Sequence, residues 1–568
     1  MKKLINIKIN GQKIKAREGE TILRVTQRNK ILIPTLCHHP DLSPKASCQV
    51  CLVKIKDEKG LKSACSTLVR EGMEILTSLP EIEKAREKNL ELIFAKHKKE
   101  CPDCVWQYDC QLLKLVREYK IKGVGIKGEI KKIPIESVGP IEFDFEKCIG
   151  CGKCLEVCRK ETGFLEGKEK DSFFEIKTSK EKNKECVYCG QCIVHCPVGT
   201  IESVGEFEGV EKVLVDKNKF VVAQIAPAVK TTAGEAFGIN LGEPVPKKIV
   251  AGLKKAGFNK VFDVSLGADI TTFEEAKELV ARWKEKRILP MMTSCCPAWV
   301  KFVEFYFSEF IPNLTTVRSP HIILGGLIKT YFAEKEKINP KDIIVVSIMP
   351  CTSKKYEIQR EELKINKLPV VDYVLTTREL VYLLKKKQID LKNIKEEEFD
   401  SPLGFSSGAG AIYGASGGVM ESALRTAVYL ISGKDLKNLE FKELRGTKVI
   451  KEAEIKIGKE NLKIAVVQTL LAAKKILKEI KKNPGLYHYI EIMACPGGCV
   501  GGGGQILPSH LKIKKERAKG LLKIDLANKI RLAHQNPTLK VIYQNYLTDF
   551  SKIKSLCHTQ YFKKQKEN

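Results

Sequence analysis

The chain has 568 residues, of which 43% are hydrophobic and 29% charged, with 98 basic and 69 acidic side chains and a formal net charge of +29. This balance fits a soluble globular chain of several domains and argues against disordered, collagen-like and membrane-spanning classes, since no apolar run approaches the roughly 20 residues that a bilayer requires. The 21 cysteines do not read as a secreted disulfide framework, because twelve of them fall in tight Cys-x-x-Cys groups suited to metal. Met1-Lys2-Lys3 is basic, but Leu4 to Asn10 alternates like a strand and no apolar stretch of signal-peptide length follows, so a reducing cytoplasm is expected. Lysines are spread through nearly every segment without interleaved aromatics. Nucleic acid is therefore not the expected partner, and a basic surface favours an acidic protein partner through steering. A plain lysine bias is the alternative reading of the same charge.

Residues 1–78 open on a hairpin pattern, with Asn10-Gly11 as its two-residue turn. Thr21 to Val25 reads as a helix start, with Glu20 near its positive end. Cys48-x2-Cys51 follows, flanked by Cys37 and Cys65. The four cysteines resemble the ligand set of a ferredoxin-like [2Fe–2S] domain, with ten residues rather than the plant-type four between the first two. Residues 79–139 carry a helical face of Leu90, Ile93 and Phe94 leading into His97-x3-Cys101-x2-Cys104-x5-Cys110. That set resembles a [4Fe–4S] module with one imidazole ligand, which removes a negative charge and raises a cluster's potential. In both segments the same side chains could instead hold zinc.

Residues 140–209 hold a repeat, Cys148-x2-Cys151-x2-Cys154-x3-Cys158 and Cys186-x2-Cys189-x2-Cys192-x3-Cys196-Pro197. In the two-cluster bacterial ferredoxin pattern each fourth cysteine ligates the other cluster. Cys148, Cys151, Cys154 and Cys196 are thus expected to hold one [4Fe–4S] cluster, and Cys186, Cys189, Cys192 and Cys158 the second. Arg159 stands where the simple motif has proline.

From 210 to 505 short apolar runs at Phe220–Ala223, Lys260–Val264 and Ile343–Met349 alternate with helical stretches over Phe273–Lys284 and Gly417–Leu430. This predicts an α/β region with buried parallel sheet flanked by helices, following the ferredoxin-like part in an α+β multidomain chain. Three cysteine contexts punctuate it: Thr293-Ser294-Cys295-Cys296-Pro297, Met349-Pro350-Cys351-Thr352-Ser353-Lys354-Lys355, and Met493-Ala494-Cys495-Pro496-Gly497-Gly498-Cys499 followed by Val500 and four glycines. Four thiolates close a cubane cluster, which leaves one thiol over beside a ligand, suited to proton chemistry. Neither Gly408-Ala409-Gly410 nor Gly501 to Gly504 has the strand–turn–helix setting of a dinucleotide site. The tail 506–568 has no cluster motif, and Cys557 reads as structural.

The three contexts together resemble the active-site signatures of [FeFe]-hydrogenases, and the resemblance spans the whole chain, with the tail segments His534-Gln535-Asn536-Pro537 and His558-Thr559-Gln560-Tyr561 similar to the family's C-terminal belt. The long cysteine interval of residues 1–78 and the histidine-containing set of 79–139 are shared with hydrogenases and with the large iron–sulfur subunit of respiratory complex I. The resemblance implies reversible reduction of protons to H2 at an H-cluster, a [4Fe–4S] cubane joined by a cysteine sulfur to a two-iron unit with carbonyl, cyanide and azadithiolate ligands. It implies four accessory clusters, one [2Fe–2S] and three [4Fe–4S]. By motif, Cys296, Cys351, Cys495 and Cys499 are implied as cubane ligands, with Cys499 the bridge and Cys295 the proton-passing thiol. The implied relay continues through Glu275, Thr315 and Glu278, with Arg282 near its exit. Lys354 is implied as a donor to cyanide, and Met349 and Met493 as soft packing. Pro227, Ala228, Ser319, His321 and Tyr413 are implied pocket residues; Ala228, His321, Tyr413 and Ile506 replace the family's common Ser, Gln, Phe and Pro. Ferredoxin or a nicotinamide-oxidising subunit is the implied electron partner, and dedicated maturation proteins the implied source of the H-cluster. Two other functions fit parts of the chain: a non-catalytic assembly factor for iron–sulfur proteins, against which Cys295 and the glycine-rich motif speak, and an electron-transfer subunit of a complex I-like dehydrogenase, which leaves 290–505 unexplained.

Overall fold

The computed structural model describes residues 3–98, 100–122, 133–170, 173–457 and 460–566. Asn10 and Gly11 both take positive φ, 50° and 82°, the turn geometry whose twist matches that of paired strands. They join Leu4–Ile9 to Gln12–Arg17, and the hairpin extends through Glu74–Leu76, Leu52–Ile55 and Leu61–Ser63 into a five-stranded sheet. Ile5, Ile7 and Ile9, on one face by strand alternation, pack with Ile22, Leu23 and Val25 of the helix Ile22–Arg28. The Thr21 hydroxyl caps that helix by accepting from the Arg24 amide. Glu20 does not serve the helix N-terminus as expected; it folds back onto Arg28 and accepts from the Arg17 amide. Helix Pro80–Lys96 leads into the second segment and ends at His97. The two halves of the cysteine repeat each form a short helix, Lys153–Arg159 and Gln191–His195, and these pack together.

Residues 210–505 are built on two four-stranded sheets. The first is parallel throughout, in the order Lys260–Asp263, Phe220–Ile225, Ile343–Met349, Tyr373–Thr376. Its strands are nearly continuous apolar runs, as a doubly covered parallel sheet demands. The second runs Met291–Met292, Tyr489–Met493, Glu460–Gln468 in parallel, with Ile450–Ile457 antiparallel at its edge. One helix, Val264–Lys284, serves both: Val264, Leu266 and Ile270 join the core of the first sheet, and Ala276, Leu279 and Val280 that of the second. It starts nine residues before the expected Phe273, capped by Asp263, whose carboxylate accepts from the Ser265 amide. Its opening turns are rich in β-branched and apolar residues, which mask helical periodicity.

The tail wraps this region with helices Leu511–Ala527, Pro537–Asn545 and Phe550–Cys557. Buried ion pairs fasten it: Arg425 grips Asp525 at 3.0 and 2.9 Å, and Arg517 grips Glu235 at 3.0 and 2.7 Å. Cys557 is fully buried in the main apolar core. All 21 cysteines are free of disulfides. Among the described residues, no helix is long and apolar enough to cross a membrane.

Candidate active site

Strands of both sheets end at one crevice. Met291–Met292 runs into Cys295 and Cys296, Ile343–Met349 into Cys351, and Tyr489–Met493 into Cys495, with Cys499 opening the short turn beyond. The carboxyl ends of parallel strands are where α/β folds place their ligand sites. All five cysteines line one cavity of about 90 Å³, together with Pro227, Ala228, His321, Met349, Lys354, Tyr413 and Met493. Its wall is otherwise almost entirely carbon. Four thiols converging from three loops suit soft iron, and the space beside them exceeds what a single ion needs. These residues fit an iron–sulfur group with a further unit beside it. Gly498, at φ 85°, is required for the close approach: a Cβ there would lie 2.6 Å from the Ser416 amide nitrogen and 3.0 Å from the Met493 sulfur. Ser319 lies at the edge of this site, next to Pro320. It is absent from the cavity wall, where Pro320 stands instead, and its hydroxyl is buried without a partner; the residue precedes the helix Pro320–Leu327 without capping it.

Beside the cavity lies a buried polar triad that sequence reading missed. Glu357 Oε2 accepts from Lys354 Nζ at 2.6 Å and from His321 Nε2 at 2.6 Å. Burial would raise Glu357, but the Lys354 ammonium and the imidazole outweigh it and hold the carboxyl down to about 2. Burial, reinforced by Lys354, lowers His321 to about 4, so the ring is neutral at physiological pH. Its Nε2–H goes to Glu357 and its Nδ1 accepts from the Ser347 hydroxyl at 3.1 Å. Both ring nitrogens are therefore taken by protein. His321 therefore has no free ring nitrogen to offer the cavity, where the family's common Gln carries an amide. Lys354 lines the cavity, and its ammonium donates also to the Cys295 carbonyl at 3.1 Å. The only signal for Glu357 was its place one helical turn after Lys354.

Helix Val264–Lys284 presents Glu275 and Glu278 toward this site. Glu275 is 1% exposed, and its Oε1 has no hydrogen-bond partner; the buried Tyr489 hydroxyl lies near it without completing a bond. Glu278 accepts from Thr315 Oγ1 at 2.8 Å and is paired with Arg282, whose guanidinium also donates to the Leu314 and Pro312 carbonyls at 2.9 and 3.1 Å. Cys295 is exposed only toward the cavity; burial pushes its thiol up, and the nearby Glu275 adds to that. Burial likewise pushes Glu275 from 4.5 up to about 8, aided by Glu278 and Glu491 and opposed by Tyr489 and Arg282. The folded state thus holds a proton between those values that the unfolded chain releases. Stability from this group is complete below about 4.5 and is lost as pH rises toward 8. Glu275→Gln is expected to flatten the decline in denaturant stability across that window; parallel curves for variant and parent would contradict a neutral buried carboxyl.

Some of the accessory cysteines lie side by side within their segments. His97, Cys101, Cys104 and Cys110 line one small cavity. The Lys147 carbonyl can only accept, so the 2.9 Å contact puts the proton on His97 Nδ1 and leaves Nε2 free to ligate. Cys37 lies beside Cys48, and Cys51 beside Cys65. Lys153, between Cys151 and Cys154, donates to the Leu36 carbonyl at 2.9 Å and so ties the first segment to the third. The third segment docks directly on the catalytic loops. Thr352 and Ser353 hydroxyls donate to the Tyr188 carbonyl at 2.8 and 2.6 Å, and the Cys495 sulfur lies 3.9 Å from the Cys189 carbonyl. Gly503 allows this approach, since a Cβ there would come within 2.4 Å of Gly190 Cα.

Comparison with known proteins agrees along the chain. Residues 219–503 match the iron only hydrogenase large subunit, C-terminal domain, and 511–564 the iron hydrogenase small subunit. Residues 2–79 match a 2Fe-2S iron–sulfur cluster binding domain, 86–124 the NADH-ubiquinone oxidoreductase-G iron–sulfur binding region, and 147–200 a 4Fe-4S dicluster domain. The chain is 36% identical to the NADP-reducing hydrogenase subunit HndD of Solidesulfovibrio fructosivorans, covering 99% of this chain and 100% of that one. It is 37% identical to iron hydrogenase 1 of Clostridium pasteurianum, over 95% and 96% of the two chains. Among solved structures it resembles the apo [FeFe]-hydrogenase HydA1 of Chlamydomonas reinhardtii, with a TM-score of 0.57 and 35% identity over 63% of this chain and 99% of that one. With these matches running from the first iron–sulfur segment to the tail, and with the five-cysteine cavity at the strand ends, the chain belongs to the [FeFe]-hydrogenase family.

Proposed function

We propose that the chain catalyses 2H⁺ + 2e⁻ ⇌ H2 at the five-cysteine cavity, with electrons relayed through four accessory clusters. The observation that carries this reading is the convergence of four thiols and one spare thiol on a nearly all-carbon cavity. Cys296, Cys351, Cys495 and Cys499 would hold the cubane, with Cys499 also meeting the two-iron unit. When bound, that group supplies the redox chemistry by which electrons and protons combine to H2. The chain's own residues do the rest. The apolar wall, with Met349 and Met493, excludes water. Lys354, held by Glu357, keeps an ammonium at the wall where an anionic ligand is favoured. Cys295 hands a proton at Sγ to or from the cavity, Glu275 exchanges it at its unpartnered Oε1, and Thr315 and Glu278 carry it outward.

Five segments, 1–78, 79–139, 140–209, 210–505 and 506–568, divide these tasks in our reading. The [2Fe–2S] set of Cys37, Cys48, Cys51 and Cys65 meets the dicluster segment at Lys153, and the set of Cys186, Cys189, Cys192 and Cys158 meets the cubane set where Cys189 faces Cys495. The 21 free cysteines suit a reducing cytoplasm. Full-length likeness to a subunit of an NADP-reducing hydrogenase supports a nicotinamide-linked partner subunit, whereas the charge of +29 supports an acidic ferredoxin. Anaerobically matured protein given a reduced one-electron donor is expected to evolve H2, and to oxidise H2 with the donor's oxidised form. Matured protein that does neither would overturn the assignment.

A further inference from the structure

The relay needs a group at its outer end that can both gain and lose a proton near neutral pH. Arg282 does not qualify. Its guanidinium stays protonated and has no lone pair to offer, and its donors are already committed to Glu278, Leu314 and Pro312. A second branch leaves Glu278. The Thr316 hydroxyl donates to Glu278 Oε2 at 3.1 Å and lies 2.8 Å from Nδ1 of His558. The tail delivers that histidine: Val317 and His558 form an antiparallel β-bridge, the Thr559 amide donates to the Thr316 carbonyl at 2.8 Å, and Arg318 Nε donates to the His558 carbonyl at 2.8 Å. On the other side of the ring, Nε2 lies 3.5 Å from Glu274 Oε2. The His558 side chain is 23% exposed, against 13% for Arg282.

We propose that His558 is the proton outlet of the relay, joined to Glu278 through the Thr316 hydroxyl. The proposal rests on the reading of Glu275 and Glu278 as a proton path. In the inward direction the neutral ring, carrying its proton on Nδ1 toward Thr316, takes a proton from solvent at Nε2 and becomes imidazolium, with the new Nε2–H toward Glu274. The Nδ1 proton passes to Thr316 Oγ, and the hydroxyl's own proton passes to Glu278 Oε2. The ring is left neutral with its proton on Nε2 and the carboxylate gains one proton; tautomer exchange through solvent restores Nδ1–H before the next transfer, outward flow is the reverse, and no electrons move. Histidine is the side chain whose ordinary titration spans neutral pH. The charged and titratable groups around it are Glu274 and Glu278 from the long helix, Lys277 and Tyr543 through their contacts with Glu274, Arg318 from its own strand pairing, and Cys557 before it in the chain. Burial would raise Glu274, but hydrogen bonds from His558, Tyr543 and Lys277 hold it down to about 2, so an anion faces Nε2 throughout the working range. That anion orients the ring with Nδ1 toward Thr316.

The test uses matured full-length enzyme and two readouts: H2 turnover, and the rate at which the Glu275 carboxyl band shifts in the infrared on transfer to D2O. His558→Gln keeps a hydrogen-bonding side chain that cannot titrate. It is expected to slow both readouts about tenfold or more, and added imidazole is expected to restore part of each. Thr316→Val, which removes only the hydroxyl, should reproduce the loss, and Thr316→Ser should bring both readouts back toward the parent. If His558→Gln and Thr316→Val match the parent while Glu278→Gln is slow, the outlet lies elsewhere and the relay stands. If Glu278→Gln also matches the parent, the relay itself fails and the outlet with it.

Discussion

Cys295→Ala is expected to lower H2 turnover by at least about 10²- to 10⁴-fold, the range of a lost general acid–base step, while the cluster's carbonyl and cyanide infrared bands remain recognisable. Adjacent residues divide the labour. Cys296 opens the helix Pro297–Tyr306, and its sulfur belongs to the set of four that converge as ligands. Cys295 lies on the same cavity wall, next to Glu275, with its backbone carbonyl held by Lys354. Alanine removes the thiol proton and leaves that backbone bond untouched. Aspartate supplies a titratable group again, so Cys295→Asp should recover part of the turnover. Cys296→Ala should instead prevent assembly of the cluster. Full turnover in Cys295→Ala would remove the thiol from the path, and loss of the bands would make Cys295 a ligand.

Arg360→Leu is expected to destabilise the catalytic region by about 3–5 kcal/mol, the cost of stranding a buried charge. Arg360 grips Glu304 with two parallel bonds of 2.9 and 2.6 Å, and Glu304 is 0% exposed. Without the guanidinium, the carboxylate keeps only the Phe562 amide at 3.2 Å. The tail is held at the same place, since the Arg360 guanidinium stacks 5.5 Å from the Tyr561 ring and the Lys564 amide donates to the Glu304 carbonyl at 3.0 Å. Denaturant unfolding should show the loss, and hydrogen exchange should show early release of the tail around Tyr561. Pairing the substitution with Glu304→Leu should recover much of the stability, because two apolar side chains leave no charge stranded. A double variant no better than the single would mean that packing, not charge, dominates here.

Local chemistry was the legible part of this chain. Cluster ligands must be thiolates at short spacing, so Cys148 to Cys196 declared themselves, and Asn10-Gly11 announced a hairpin because few residues tolerate two positive φ angles in succession. The strand runs Phe220–Ile225 and Ile343–Met349 were readable because a doubly covered parallel sheet needs unbroken apolar residues. What stayed hidden depends on contacts between distant segments. Nothing near His321 says that Ser347 and Glu357 will occupy both its nitrogens. Nothing near Thr316 says that a histidine 242 residues later will meet it.

In the proposed function Cys296, Cys351, Cys495 and Cys499, which line one cavity, hold a cubane with a two-iron unit beside it. Infrared spectroscopy of the anaerobically matured protein tests it most directly, because carbonyl and cyanide ligands on iron absorb where no protein group does. Both sets of bands are expected, and their loss in Cys499→Ala. Protein replete in iron and sulfide but free of such bands would contradict it.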